Sequence, residues 1–297
     1  MTAPLHGWLI LDKPHGLGST QAVSAVKRCL REAGEAKTRI GHGGTLDPLA
    51  TGVLPVALGE ATKLAGRMLD SDKAYDFTLK FGEQTDTLDC EGQGIATSDV
   101  RPSREETEAV LSRFTGAIEQ MPPAYSALKV DGRRAYDLAR AGEEVVLKPR
   151  AVTIHALDLI GHDGESATFS AIVSKGTYIR SLARDIALAL GTVGHVTMLR
   201  RTKAGPFTLE QAISLDKLNQ AARDRAIAQY MLPLTAGLDD IPALPVTPGE
   251  ALALKQGKVL GGNPRKKGLM IAMDGEMPVA LVEGSDAEIR VLRGFNL

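Results

Sequence analysis

Hydrophobic and polar positions change their period several times along the chain, and each change marks an element. Gly7 to Asp12 is a short apolar run closed by Lys13-Pro14, which reads as a strand. After Gly16 and Gly18, Val23, Val26 and Leu30 recur at helical spacing behind Ser19, a residue suited to an N-cap, so the pattern predicts a helix from Ser19 to about Ala33. Val53 to Leu58 reads as a strand and Glu60 to Leu69 as a short helix. Lys73 to Phe81 alternates, with Tyr75, Phe77, Leu79 and Phe81 on one face, which puts Tyr75 on the buried side of a strand.

Further on, Ser103-Arg104-Glu105-Glu106 has the spacing of a capping box and opens a helix to about Phe114. From Pro122 to Arg150 basic residues recur and apolar ones are few in the middle, the pattern of an exposed excursion. Val152 to Ile160 and Ser166 to Val173 read as paired strands around Asp163-Gly164. Thr177 to Leu190 reads as a helix stopped by Gly191, and a further helix is predicted from about Leu215 to Tyr230. Proline at 233, 242, 245 and 248 then marks a boundary to a β-rich tail of about 50 residues. No internal repeat or low-complexity tract is present.

Between the first helix and the second strand lies Gly41-His42-Gly43-Gly44-Thr45-Leu46-Asp47-Pro48-Leu49-Ala50-Thr51-Gly52, too rich in glycine for regular structure. Such a loop lets backbone approach a ligand closely, and Pro48 biases Asp47 away from helical backbone. Asp47 is then either a turn residue capping the next segment or a reacting carboxylate; the loop alone admits both. No Gly-Lys-Ser/Thr and no Gly-x-Gly-x-x-Gly occurs here, which disfavours a nucleotide-triphosphate or dinucleotide enzyme. Tyr178 and Arg180, in Ser174-Lys175-Gly176-Thr177-Tyr178-Ile179-Arg180, fall at a strand-to-helix junction, where anions and reacting groups are often placed. Asp86 and Asp89 form a carboxylate pair, but within an acidic run that reads as surface. Cys29 reads as packing.

The 297 residues carry 35 Lys+Arg and 36 Asp+Glu, a net charge of −1, with 43% apolar and 24% charged residues. This is globular usage and excludes a disordered or tail-type polyanion binder. No apolar run approaches a membrane span and the N-terminus lacks a signal-peptide pattern, so a cytoplasmic protein is expected. Two cysteines, with no Cys-x-x-Cys or His-x-x-x-His, suggest neither disulfides nor structural zinc.

Taken together, Leu11-Asp12-Lys13-Pro14-His15-Gly16, the Gly41 to Leu54 loop and strand, Gly59 to Lys63, Ser71 to Tyr75, Tyr125 to Lys129, Ser174 to Arg180 and His195 to Thr202 resemble the bacterial tRNA pseudouridine synthase B (TruB) family, in the family's order and over roughly residues 7 to 215. The resemblance implies an α+β fold with a mixed, largely antiparallel central sheet flanked by helices, the pseudouridine synthase fold. It implies a catalytic domain over residues 1–240, with a basic insertion at about 123–150 that clamps the T arm, and a small PUA-like RNA-binding domain over 245–297. The implied activity is isomerisation of uridine to pseudouridine at position 55 in the T loop of tRNA, by a monomer, without cofactor or metal.

On that resemblance Asp47 is the nucleophile acting on a flipped-out base, and attack at the ribose and at the base ring both stay open. Tyr75 stacks on the base and is a candidate for proton removal from C5; Arg180 pairs with Asp47. Tyr178 and Leu199 line the base pocket, Lys63 lies nearby, His42 fills the space the bases vacate, and Lys13 and Lys129 are further substrate-binding candidates. Gly18 stands where the family more often has Ser or Thr, and Gly43 where Thr is frequent, changes expected to loosen the backbone. A tRNA chaperone without chemistry and a carboxylate glycosidase are the rival classes. The near-zero charge hides segments of opposite sign: residues 171–205 and 255–268 each carry +5 and residues 80–110 carry −5, so basic segments remain available to face phosphates.

Overall fold

Strand β1, Gly7–Lys13, explains its own unbroken apolar run: Trp8, Leu9, Ile10 and Leu11 are all fully buried, with Leu9 and Leu11 in one hydrophobic core and Trp8 and Ile10 in a second. A strand covered on both faces has no polar side to alternate. The computed structural model describes residues 3–126, 128–130, 132–141, 146–261 and 267–297.

After β1 come helix α1 (Ser19–Glu32), β2 (Ile40–His42), β3 (Thr51–Leu58), β4 (Lys73–Phe81), β5 (Gly116–Gln120), β6 (Arg150–His162) and β7 (Ser166–Val173). Helix α2 (Ile179–Ala189), β8 (Gly194–Ala204), β9 (Ile213–Ser214) and helix α3 (Leu215–Arg223) follow. The main sheet runs β9-β1-β3-β8-β4-β7-β6-β5, with β2 added beside β3. Only the β1–β9 and β3–β8 pairings are parallel, so the sheet is mixed and largely antiparallel as expected. The first core lies between this sheet and the helices: Val26 and Leu30 of α1, Leu182 and Ile186 of α2 and Leu218 of α3 all belong to it.

The tail folds as a five-stranded sheet over residues 243–294, with a helix at Pro248–Lys255 capped by Thr247 and Glu250. It is joined to the rest by hydrophobic packing, because Ile271, Leu281 and Phe295 share the second core with Trp8, Ile10 and Phe207.

Several expectations are corrected. Ser19 is the first helical residue and Gly18 the N-cap, with the Gln21 side chain accepting the Gly18 N–H at 2.9 Å. The ends of the glycine-rich loop are strand, leaving residues 43–50 irregular. The helix predicted to Tyr230 stops at Arg223, and Arg225 takes a left-handed backbone (φ 54) before a short 3-10 turn over Ile227–Tyr230. Strand β8, central in the sheet, went unrecognised because its run of Thr, Arg and Lys breaks the apolar pattern. In the excursion, Ala135 and Leu138 are buried on a short helix, Ala135–Arg140, so it has a packed side.

Candidate active site

Four neighbouring strands in the middle of the sheet each bring one part of the site. The loop entering β3 carries Asp47, β8 carries Leu199, β4 carries Tyr75, and the turn from β7 into α2 carries Tyr178, with Arg180 in the first turn of α2. Registration aligns them: Tyr75 sits opposite Arg201 of β8 and Ala171 of β7, and Leu199 opposite Phe77.

The Asp47 loop is held from below. Gly52 adopts φ +98, and a Cβ there would lie 2.2 Å from the Arg201 carbonyl oxygen, so only glycine allows β3 and β8 to close at this point. Arg201 is 1% exposed; its Nε donates to Val53 O at 2.7 Å and its Nη2 to Gly44 O at 3.2 Å. Ser19 Oγ accepts the Leu46 N–H at 2.7 Å and donates to Leu46 O at 3.0 Å. Gly43 is packed tightly, since a Cβ would meet Met68 Cβ at 2.6 Å, so the loosening expected of a glycine here is met by a neighbour filling the space.

At the loop's end Asp47 Oδ2 lies 2.9 Å from Arg180 Nη2, and the guanidinium is almost buried while the carboxylate is 40% exposed. The ion pair forms the shared wall of two adjoining cavities. The larger, of about 530 Å3, is lined by residues including His42, Asp47, Thr87, Glu91, Tyr125 and Arg180. The smaller, of about 190 Å3, is lined by Asp47, Tyr75, Ile179, Tyr178, Arg180 and Leu199 among others. Tyr75 is therefore half-buried, packed on the core yet edging the inner cavity. Tyr178 is the N-cap residue of α2, its backbone N–H bound to Gln120 Oε1 at 2.8 Å.

Asp89 corrects the surface reading of the acidic run. It is 2% exposed, its Oδ2 lies 3.2 Å from Arg180 Nη1, and its Oδ1 accepts from Thr87 Oγ1 and the Glu91 N–H. Arg180 also donates to the carbonyls of Thr87 and Tyr125. The chain turns sharply just before Asp89, at Leu88 with φ 64, a conformation that nothing in Asp86-Thr87-Leu88-Asp89 announces.

Electrostatics reflect this crowding. Burial, then the Asp89 and Asp47 carboxylates, raise the Glu91 pKa. Burial, with nearby Arg201 acting the same way, lowers that of His42, which favours a neutral ring beside the loop.

Two candidates leave the site. Lys13 is fully buried under the loop, its ammonium donating to the carbonyls of Pro14, Leu17 and Pro48; burial lowers its pKa to about 8. It supports the loop rather than facing a substrate. Lys63 is bound to Glu60 at 2.6 Å and to Gly294 O at 2.8 Å, where it ties the tail to the segment after β3. The Lys129 side chain lies outside the described residues. Among the described residues no three His, Cys, Asp or Glu side chains group to hold a metal, and no helix is long and apolar enough to cross a membrane.

The chain matches the family model of the TruB family pseudouridylate synthase N-terminal domain over residues 28–179, and that of the tRNA pseudouridylate synthase B C-terminal domain over residues 180–239. It is 64% identical over 296 residues to the tRNA pseudouridine synthase B of Novosphingobium aromaticivorans, spanning 98% of this chain and 97% of that one. To the Zymomonas mobilis protein of the same name it is 63% identical over 295 residues, spanning 99% and 97%. Among solved structures it resembles an H/ACA RNP bound to a substrate RNA containing 2′-deoxyuridine, at a TM-score of 0.75 and 24% identity over 98% of this chain and 86% of that one, a likeness of fold. A Cbf5-Nop10-Gar1 complex matches at a TM-score of 0.71 and 27% identity over 94% and 78%. With both halves of the glycine-loop site inside the matched regions, the chain belongs to the TruB family of pseudouridylate synthases.

Proposed function

We propose that this chain isomerises uridine to pseudouridine in tRNA, at position 55 of the T loop, with Asp47 as nucleophile on a flipped-out base. The observation that carries the reading is the Asp47–Arg180 pair on the wall shared by the open cleft and the inner cavity. A cation at 2.9 Å holds the carboxylate in one orientation, as a nucleophile requires. The inner cavity, walled by Tyr75, Tyr178, Ile179 and Leu199 together with polar residues such as Thr45 and Thr177, suits a single pyrimidine ring, and extracting that base from the RNA stack costs a few kcal/mol that contacts with it offset.

In this reaction the glycosidic N1–C1′ bond breaks while Asp47 holds the nucleotide. The freed uracil turns to present C5, the C5–C1′ bond forms, and the C5 proton leaves while N1 gains one, so the product is an isomer. Tyr75, at the edge of the inner cavity, stacks on the ring and is the candidate for taking that proton. Tyr178 and Leu199 line the pocket, and neutral His42 in the outer cleft fills space the base vacates.

Residues 1–240 act as the catalytic domain, with the 123–150 segment closing on the T arm and 245–297 serving as a PUA-like RNA-binding domain in a cytoplasmic monomer. The names of the curated relatives support tRNA as the substrate. Asp47→Asn is expected to abolish tritium release from 5-tritiated uridine in a T-arm transcript while leaving RNA binding nearly intact. Full turnover in that variant refutes the nucleophile assignment, and nucleoside mapping of the transcript locates the modified position.

A further inference from the structure

Ser126 is 4% exposed, lines both cavities, and its Oγ is buried without a hydrogen-bond partner. Buried polar side chains are rarely left so, and each one calls for an explanation; beside a cavity, a group of an entering ligand supplies one. The residue is held firmly. Its N–H donates to Ala124 O at 3.1 Å, its carbonyl accepts the Tyr136 N–H at 3.0 Å, and the preceding carbonyl, Tyr125 O, accepts from Arg180 Nη2 at 2.9 Å. Ser126 thus stands in the wall of both cavities, its buried hydroxyl unpaired, on a turn fixed to the same guanidinium that holds Asp47.

Several other polar groups around the inner cavity are already engaged. Thr177 Oγ1 donates to Ser174 O at 2.9 Å, and Asp47 and Arg180 hold each other. A uracil has two carbonyls flanking an N–H, and these need partners once the base leaves water. A hydroxyl both donates and accepts, so it can serve the ring before and after it turns, which an amide or an ammonium cannot do with one atom.

We infer that Ser126 is a base-recognition residue whose hydroxyl donates to a carbonyl of the flipped uracil, an inference that rests on the inner cavity being the base pocket. The test uses the full-length protein in single turnover on T-arm stem-loops carrying uridine, 2-thiouridine or 4-thiouridine at the target, since sulfur is the weaker acceptor. Wild-type protein is slowed by sulfur at one of the two positions. Ser126→Ala slows the uridine substrate by about tenfold, the scale of one lost hydrogen bond, and loses that discrimination, with RNA affinity within about twofold. Its melting temperature stays level or rises, because the hydroxyl has no partner in the free protein.

Wild-type turnover indifferent to both sulfur substitutions overturns the inference. So does Ser126→Ala turning over uridine at the wild-type rate, an equal loss on all three substrates, or a lowered melting temperature. Ser126→Thr, which keeps the hydroxyl, is expected to retain the sulfur discrimination; its loss there also counts against the inference. Asp47→Asn on the same RNAs separates the two failures: if it turns over, the reading of the pocket itself falls, whatever Ser126 does.

Discussion

Asp47 and Asp89 share one guanidinium, Asp47 Oδ2 lying 2.9 Å from Nη2 of Arg180 and Asp89 Oδ2 3.2 Å from Nη1. The two carboxylates differ in exposure, 40% against 3%, and that difference assigns their parts. Asp89 anchors the arginine from the protein side, and Asp47 meets whatever enters the cleft.

Arg180→Ala would leave Asp89 buried and unpaired, an arrangement that costs about 3–5 kcal/mol, so a loss of activity there would be confounded by loss of fold. Arg180→Lys keeps the charge without the forked geometry that reaches both carboxylates and two carbonyls. It is expected to lower single-turnover rate on the order of 10²-fold with RNA affinity changed only a few-fold. Asp89→Asn, which frees one side of the guanidinium, is expected to fall in the same direction. Wild-type rates in both variants, measured by tritium release, would remove the network from the mechanism.

How much of this was legible in the sequence depended on whether a residue's partner was local. Alternation puts Tyr75 on the face that packs against the core, and the glycine-rich string draws attention to Asp47 while leaving its part open. The capping box at Ser103 forms with Glu106 as read, and Gly191 ends α2. Asp89 and Arg201 escape such a reading because polarity suggests exposure, whereas each is buried with partners distant in sequence, Arg180 for Asp89 and Val53 and Gly44 for Arg201; Lys13 is buried too, its ammonium held by the carbonyls of its near neighbours Pro14 and Leu17 as well as by Pro48. Strand β8 was missed for the same reason, its arginines being satisfied across the sheet, with Arg200 bound to Asp12.

Ser19 tests whether loop rigidity matters to the chemistry. Its hydroxyl makes two bonds to the backbone of Leu46, the residue before Asp47. Ser19→Ala leaves a buried N–H and carbonyl unpaired and is expected to cost about 1–3 kcal/mol in urea unfolding. The loosened loop should also lower turnover by about tenfold, because small displacements of a reacting group are costly. An unchanged rate in a variant that is measurably less stable would show that the glycine loop tolerates movement at Leu46.

Besides the RNA-binding part proposed for it, the tail is by its packing part of the fold. Phe295 is 1% exposed in the core that contains Trp8 and Phe207, whose rings lie 5.2 Å apart. Removing the tail would uncover that core. Phe295→Ala is expected to destabilise by about 3–5 kcal/mol and to leave a single unfolding transition, followed by Trp8 fluorescence and by circular dichroism together. Two separate transitions in the wild-type protein would instead make the tail an independent unit.

Lys73 gives the protein an unusual response to alkali. Its ammonium donates to the carbonyls of Leu69 and Ser71, and burial, assisted by Arg201, lowers its pKa from 10.5 to about 8, as burial also does for Lys13. Between about pH 8 and 10.5 the unfolded chain then holds these protons while the folded one has released them. Stability rises with pH wherever the unfolded state binds more protons, so both lysines push it upward through that window and oppose folding below it. Urea unfolding at about pH 7.5 and about pH 9.5 compares the wild type with Lys73→Met, which cannot titrate. The variant is expected to gain less stability over that interval, its remaining lysine contribution being that of Lys13. Equal gains in the two proteins would mean that Lys73 keeps its ordinary affinity for the proton in the folded state, and that its burial is offset by the carbonyls it binds.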